Sequence, residues 1–431
     1  MKITKAFLPL GLTIAVVISV ALSAMIWTNP AQYERNRQRS SNTPTTELNS
    51  RPKQDVYLPT QVVYTNGSGN QELLNNRKVN LTTEIREALS KWDLGRIRRV
   101  DVKSQAVYMK FLTTKSSILL SYGAPVNVKL FNTVFNSNLG RSATQFSRIM
   151  VPLDNSKHIY LLDDKDQEVY QVTVKKGNNK QLNKILKENL FRIDIKMQWL
   201  NGSAVPYVMN NVTVQSYSYL VNQQSTDYFT TRLLNKGEST NVSAKKNKDN
   251  TIYSDGASQQ LTVYHKKGTA LYEDYSALQA SLSFSQALNA SYSAVKAVGI
   301  PMENLRYYGY NHTNSTVTYR SFVEGFPIFN QSNYGAARIQ MLSQGVRRYY
   351  FSLYSLQVPV PTDKKSVSLP STQSVIDQLT AAGYSKKKIT TVQLGYQWLA
   401  SSSSDKVVNL TPTWYVFYDG SWKTYSQMLK Q

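Results

Sequence analysis

The sequence predicts an α+β protein: an N-terminal transmembrane helix followed by three extracytoplasmic α+β domains with antiparallel sheets. Three observations predict it. Residues 6–27 form one apolar run without a charged side chain. Beyond Val56, short alternating or β-branched runs alternate with Gly, Asn and Asp turns, and helical patterns are few. Within residues 279–431, a helix-plus-sheet pattern occurs twice.

The membrane helix spans 6–27. About 22 residues at ~1.5 Å rise reach about 33 Å, enough for a ~30 Å hydrocarbon core. Pro9 lies in the first turn, where a missing N–H costs least, and Trp27 sits at the exit, where an amphipathic ring prefers the headgroup level. Lys2 and Lys5 precede the run and Arg35, Arg37 and Arg39 follow it, so charge alone nearly ties the orientation. The short basic start before an apolar stretch reads as an export signal and puts residues 1–5 in the cytoplasm. Ala21-Leu22-Ser23 resembles a cleavage site, but the apolar run continues through Met25, Ile26 and Trp27, so retention is expected. Gly11, Ala15, Ser19 and Ser23 recur at i+4 and form a small-residue stripe on which a partner helix can pack closely. Small residues are common in membrane segments, so the spacing alone does not compel a contact.

With 50 Lys+Arg against 27 Asp+Glu, the 431-residue chain carries +23 and has no cysteine. Disulfides are excluded, along with thiol chemistry. The basic residues are spread out, with short clusters at Arg96-Arg98-Arg99, Lys245-Lys246-Lys248 and Lys386-Lys387-Lys388, none in a nucleic-acid-binding pattern. Export would also separate the chain from nucleic acid. The excess suits an anionic cell-wall polymer or lipid headgroups, or solubility alone.

Residues 28–55, rich in Asn, Ser, Thr, Arg and Pro, read as a flexible stalk. An N-terminal α+β domain is expected over 56–187, with strands at Gln61–Tyr64, Ala106–Leu112, Ser117–Tyr122, Val126–Phe131, Ile159–Leu162 and Val169–Val174. A helix is expected from Thr82 to Trp92, stopped by Gly95. A middle α+β domain over 188–278 has a strand at Val212–Leu220, a helix at Asp227–Leu234, an exposed loop at Lys236–Asn250, and strands at Thr251–Tyr253, Gln260–His265 and Ala270–Tyr272. In the C-terminal repeat domain, 279–431, Ser283 and Gln286 form a capping box. Leu288, Tyr292 and Val295 share that helix's face, and Gly299 and Pro301 end it. Leu305, Gly309-Tyr310, Val317–Val323 and Gly325–Phe329 follow. The second copy opens at Ser371, buries Val375, Ile376 and Leu379, and ends at Gly383. Ile389, Gly395-Tyr396 and Leu410–Trp414 then match the first copy in order.

No catalytic or cofactor motif stands out. His158, His265 and His312 are far apart and form no metal pattern. Asp163-Asp164-Lys165-Asp166 resembles half a calcium loop but lacks its glycine and closing Glu, so a solvated hairpin turn is expected. There is no G-x-S-x-G elbow, Walker loop or G-x-G-x-x-G. A glycosidase pair needs two carboxylates that meet only in space, and Glu324, beside Gly325-Phe326-Pro327, is the carboxylate to inspect. Tyr307-Tyr308-Tyr310 and Tyr349-Tyr350-Phe351-Tyr354 could stack on a glycan or peptide, though strands favour aromatic residues for packing alone.

The single anchor, Tyr57-Leu58-Pro59-Thr60-Gln61-Val62-Val63-Tyr64 after the stalk, and the C-terminal Gly-x-Pro-Ile-Phe and Leu-x-Pro-x-Trp elements ending in Asp419-Gly420-Ser421-Trp422 together resemble the YycH family. YycI proteins resemble the last two domains. The C-terminal elements also occur in PepSY-like sheet modules, so the two tandem units are expected to be PepSY-like or YycI-like. The resemblance implies a non-enzymatic regulator in a Gram-positive cell membrane. It implies partners too: the sensor histidine kinase of the YycFG (WalKR) two-component system, which governs cell-wall metabolism, and a YycI-like protein, met through the membrane helices. It carries over no catalytic residue, cofactor or metal. The competing readings are a surface protein that binds cell-wall polymer or peptide, and a secreted hydrolase.

Overall fold

The computed structural model describes residues 51–154, 157–234, 242–276, 281–329, 336–402 and 404–430. The predicted membrane helix, its Gly11-Ala15-Ser19-Ser23 stripe and most of the stalk lie outside these residues. Among the described residues no helix is long and apolar enough to cross a membrane.

Successive apolar residues such as Val62-Val63 and Ile118-Leu119-Leu120 have a simple cause. They lie in a sheet buried on both faces, where neighbours along a strand enter different cores. This sheet comprises β1 (Gln61–Thr65), β2 (Gln71–Asn75), β3 (Asp93–Val100), β4 (Ser117–Asn127), β5 (Gln145–Pro152), β6 (His158–Asp163), β7 (Glu168–Lys176), β8 (Phe191–Leu200) and β9 (Ser203–Val208). Its order is β3-β7-β6-β5-β4-β1-β2-β8-β9, antiparallel throughout. The strands at 191–208, assigned above to a middle domain, therefore complete the first sheet.

The rest of the chain supplies β10 (Val212–Val214), β11 (Tyr217–Gln223), β12 (Ser243–Lys246), β13 (Asn250–Ser254), β14 (Gln259–Tyr264), β15 (Thr269–Asp274), β16 (Leu305–Asn311), β17 (Thr316–Val323), β18 (Phe326–Phe329), β19 (Ala336–Met341), β20 (Arg347–Ser352), β21 (Tyr354–Val360), β22 (Val367–Leu369), β23 (Ile389–Ala400), β24 (Val407–Tyr418) and β25 (Ser421–Thr424). All but β10 and β22, which pair with each other, join one 14-stranded sheet. Strands from 217 to 274 thus share a sheet with the C-terminal repeat and close none of their own.

The repeat is plain in the structure. Helix Phe284–Val298 precedes β16, β17 and β18; helix Thr372–Ala381 precedes β23, β24 and β25. Both halves of the Ser283–Gln286 capping box form, and Gly299 ends its helix at φ 79°. The last two strands of each copy are joined by an acidic residue and a glycine, both at positive φ: Glu324-Gly325 (49°, 80°) and Asp419-Gly420 (49°, 78°). Such two-residue loops match the twist of a hairpin. The copies meet where β18 runs parallel to β23, Ile328 opposite Tyr396. Gly395 makes this seam possible: a Cβ there would lie 2.9 Å from the Phe329 ring and the Pro327 carbonyl.

Four local expectations are corrected. Residues 106–112 form a helix, Gln105–Leu112, capped by Ser104, because Tyr108 and Leu112 bury one face at i, i+4. Residues 126–131 end β4 and open helix Val128–Phe135. There the Asn127 side chain accepts from the Leu130 N–H at 2.9 Å, and Val128, Phe131, Val134 and Phe135 bury a helical face. The helix expected to stop at Gly95 ends at Leu89, and Gly95 lies inside β3. Val212–Leu220 is broken into β10 and β11, which belong to different sheets.

The expected flexible stalk is corrected at its end: residues 51–55 are folded against the body, and residues 51–58 lock the two lobes together. Val56, Tyr57 and Leu58 are fully buried. The Tyr57 hydroxyl donates to the Leu288 carbonyl at 2.7 Å and lies 2.7 Å from the Tyr319 hydroxyl, which in turn lies 2.7 Å from Ser291 Oγ. Tyr292 donates to the Arg51 carbonyl at 2.6 Å, and Lys53 bonds Asn289.

Candidate functional site

The residues singled out by sequence are not gathered into one place. Gly11, Ala15, Ser19 and Ser23 fall outside the described residues. His265 bonds Thr251 at 2.8 Å, and His312 stacks against Phe284 beside Tyr310. Among the described residues no group of three His, Asp or Glu side chains could hold a metal. The acidic run does make the β6–β7 turn, but Asp163 and Asp164 are buried, not solvated. Arg148 grips Asp164 with two bonds of 2.8 and 2.7 Å, and Tyr108 donates to the same carboxylate at 2.7 Å. Burial would raise the Asp164 pKa, but the Arg148 charge and these bonds outweigh it, and the net shift is downward.

Glu324 borders a pocket of about 160 Å³ between the lobes and is the one carboxylate among the described residues lining it. Tyr217 donates to its Oε1, and Arg77 Nε, from the other lobe, lies 3.7 Å from its Oε2. Burial raises its pKa, against the opposing pull of Tyr217 and Arg77. This arrangement ties a loop of the first lobe to the Glu324-Gly325 turn. A two-carboxylate mechanism needs a partner within about 5–9.5 Å, and among the described residues the lining offers none.

The aromatic runs mostly pack. Tyr307, Tyr308, Tyr349 and Phe351 are buried. Tyr307 donates to the Pro125 carbonyl at 2.8 Å, and Tyr308 to Gln393 at 2.6 Å.

A larger cleft, about 1010 Å³, opens between the two repeat copies. On β17, Val317 and Tyr319 enter the core. Thr316, Thr318 and Arg320, at the alternate positions, line the cleft. The facing wall carries Thr391, Tyr415, Phe417 and Trp422 from the second copy. At its floor Arg320 is 5% exposed, with its guanidinium 4.1 Å from the Phe329 ring centre and 4.9 Å from that of Tyr308. Its Nη1 donates to the Ile328 carbonyl at 3.3 Å and its buried Nε has no partner. Burial, then the nearby Arg338 charge, lower its pKa to about 10, although the Tyr308 and Tyr415 hydroxyls pull the other way. Two arginines line this cleft, and its described lining contains no Asp or Glu. The sequence reading missed both. The i, i+2 pattern of β17 could have placed Arg320 on a polar face; that the opposing copy buries this face is a tertiary fact.

By its architecture this is a two-lobed α+β protein, in which a nine-stranded sheet precedes a tandem helix-plus-sheet body. Residues 4–190 match the YycH protein N-terminal domain and residues 206–431 the YycH protein C-terminal domain. The chain belongs to the YycH family. Its fold is similar to the crystal structure of YycH from Bacillus subtilis, with a TM-score of 0.70 at 17% identity, over 87% of this chain and 97% of that one. No curated protein sequence matches.

Proposed function

We propose that the chain is a membrane-anchored, non-catalytic regulator of a sensor histidine kinase controlling cell-wall metabolism, acting through its transmembrane helix and its extracytoplasmic domains. The observation that carries this reading is YycH membership across almost the whole chain, which links it to the YycFG system. The proposed partners are a YycG/WalK-like kinase and a YycI-like protein, met through the face of Gly11, Ala15, Ser19 and Ser23. The docking of Arg51–Leu58 on helix Phe284–Val298 supports a mechanical role, because displacement of the anchor would reach the folded body a few residues from the stalk. A coupling of about 1–3 kcal/mol between partners changes an activity by roughly 5- to 150-fold.

The test is affinity purification from detergent-solubilised membranes. Wild-type chain should recover a histidine kinase and a smaller single-span protein, and A15L/S19L should lose both. A secreted form lacking residues 1–29 should fail to restore kinase-dependent expression in a null strain; full restoration would refute the membrane-contact mechanism.

The other reading, a wall-polymer-binding protein, is favoured by one surface. The edge strand β3 exposes Arg96, Arg98 and Arg99, beside Lys175 and Lys176 of β7. Recovery of wall fragments alone in the same purification would favour it.

A further inference from the structure

Among the described residues Arg51, Arg148, Arg306 and Arg320 are almost completely buried, and two of them, Arg148 and Arg320, have surroundings of opposite kinds. Arg148 is 7% exposed, and every guanidinium nitrogen has a partner: Asp164, Ser121 at 2.7 Å and the Ala204 carbonyl at 2.5 Å. Arg320 is as deeply placed, yet among the described residues no carboxylate pairs with it, and Nε is left without an acceptor. A buried charge with no counter-charge is strongly destabilising unless something supplies one. Here the second cation, Arg338, adds repulsion. Its guanidinium lies against the Tyr308 and Phe329 rings.

We propose that the cleft between the repeat copies binds a peptide carboxylate, seated on Arg320 with Arg338 as the second cation. A guanidinium carries its N–H donors in a planar fork that matches the two oxygens of a carboxylate. The rest of the polar lining is neutral: Thr316, Thr318, Thr391 and Gln397 can donate to or accept from a peptide backbone without demanding charge. A sugar would stack on open ring faces, and several rings of this wall already pack on one another. Phe329 and Tyr415 stack on each other at 3.9 Å, and Trp422 packs against Phe329 and Phe417, 5.1 Å from each. The cleft's volume suits a short extended segment. This inference rests on the cleft's geometry and stands or falls independently of the kinase reading.

The experiment is calorimetric titration of the full-length chain in detergent micelles. The probes are an N-acetylated Ala/Ser heptapeptide with a free C-terminal carboxylate, the same peptide as its amide, inorganic phosphate, and N-acetylmuramic acid as a sugar carboxylate. The free-acid peptide should bind, and the amide at least about tenfold more weakly, since a charge-assisted bond is lost. R320M should abolish binding and at the same time raise the melting temperature of the unliganded protein, because an uncompensated buried charge is replaced by an apolar side chain. A purely structural Arg320 would instead melt lower when replaced. R338Q, at a less buried position, should weaken binding without unfolding the chain. Equal affinity for acid and amide, unchanged binding by R320M and R338Q, or tighter binding of phosphate or N-acetylmuramic acid than of the peptide would each overturn the proposal.

Discussion

Asp163 and Asp164 are adjacent in the β6–β7 turn, yet their surroundings push them in opposite directions. Asp164 has Arg148. Asp163 has a buried Oδ1 without a partner and stands opposite Glu168 across the hairpin. Burial first, then the charges of Asp166 and Asp164, raise its pKa from 3.8 to about 6, despite amide bonds from Asp166 and Lys165. Between about pH 4 and pH 6 the folded chain therefore holds a proton that the unfolded chain has released. Stability from this group falls as pH rises through that window and is gone above it. D163N, neutral at every pH, should flatten this decline and stabilise the protein at pH 7.5 by about 1–2 kcal/mol, as measured by denaturant unfolding. The two repeat turns allow a paired test of backbone against space. Gly420 has a positive φ but open surroundings, so G420A should cost about 1 kcal/mol. Gly325 has a similar φ, but a Cβ there would lie 2.0 Å from Asn75 Oδ1, so G325A should cost about 3 kcal/mol or more by the same measurement.

At the scale of elements, the segment 51–58 does more than its length suggests. Its helix, Lys53–Val56, is four residues long, too short to be stable by itself. It is held by burial of Val56-Tyr57-Leu58 and by the hydroxyl cluster of Tyr57, Tyr319 and Ser291 on helix Phe284–Val298. Y57F keeps the ring and removes the hydroxyl from that cluster, so a loss of about 1–2 kcal/mol is expected. Y57A also empties a packed site and should cost about 3–5 kcal/mol. Equal effects of the two substitutions on the urea midpoint would assign the stabilisation to the hydroxyl alone. The helices that sequence reading took for strands share one lesson. Ala106–Leu112 and Val126–Phe131 are rich in apolar residues, and a short apolar run is compatible with either period. What settled the matter was the cap: Ser104 and Asn127 start helices at the positions their side chains can serve.

At the scale of the molecule, one core joins the lobes. It runs from Val56 through the first sheet to Leu353, taking in Phe229, Leu288 and Tyr319 on the way. A shared core makes separate melting of the lobes unfavourable. Thermal unfolding should give one cooperative transition, with the same midpoint in variants that retain only Trp199, in the first sheet, or only Trp414, in the last. Two resolved midpoints would mean that the interface is too weak to couple them.

Local chemistry was enough to read much of this protein from its sequence. The family, the α+β class, the repeat with its capping box and paired Gly-terminated helices, and several strands rest on neighbours within a few residues, and such signals survive in the linear chain. Sheet membership did not. β8 joins β2, and β11 joins β24, across long stretches of sequence, because a strand edge pairs with whichever edge the global packing brings to it. The candidate cleft depended on the same kind of fact. Arg320 reads as one polar residue on an alternating strand, and only the approach of the second repeat copy turns it into a buried cation without a carboxylate, since burial belongs to the surroundings and not to the residue.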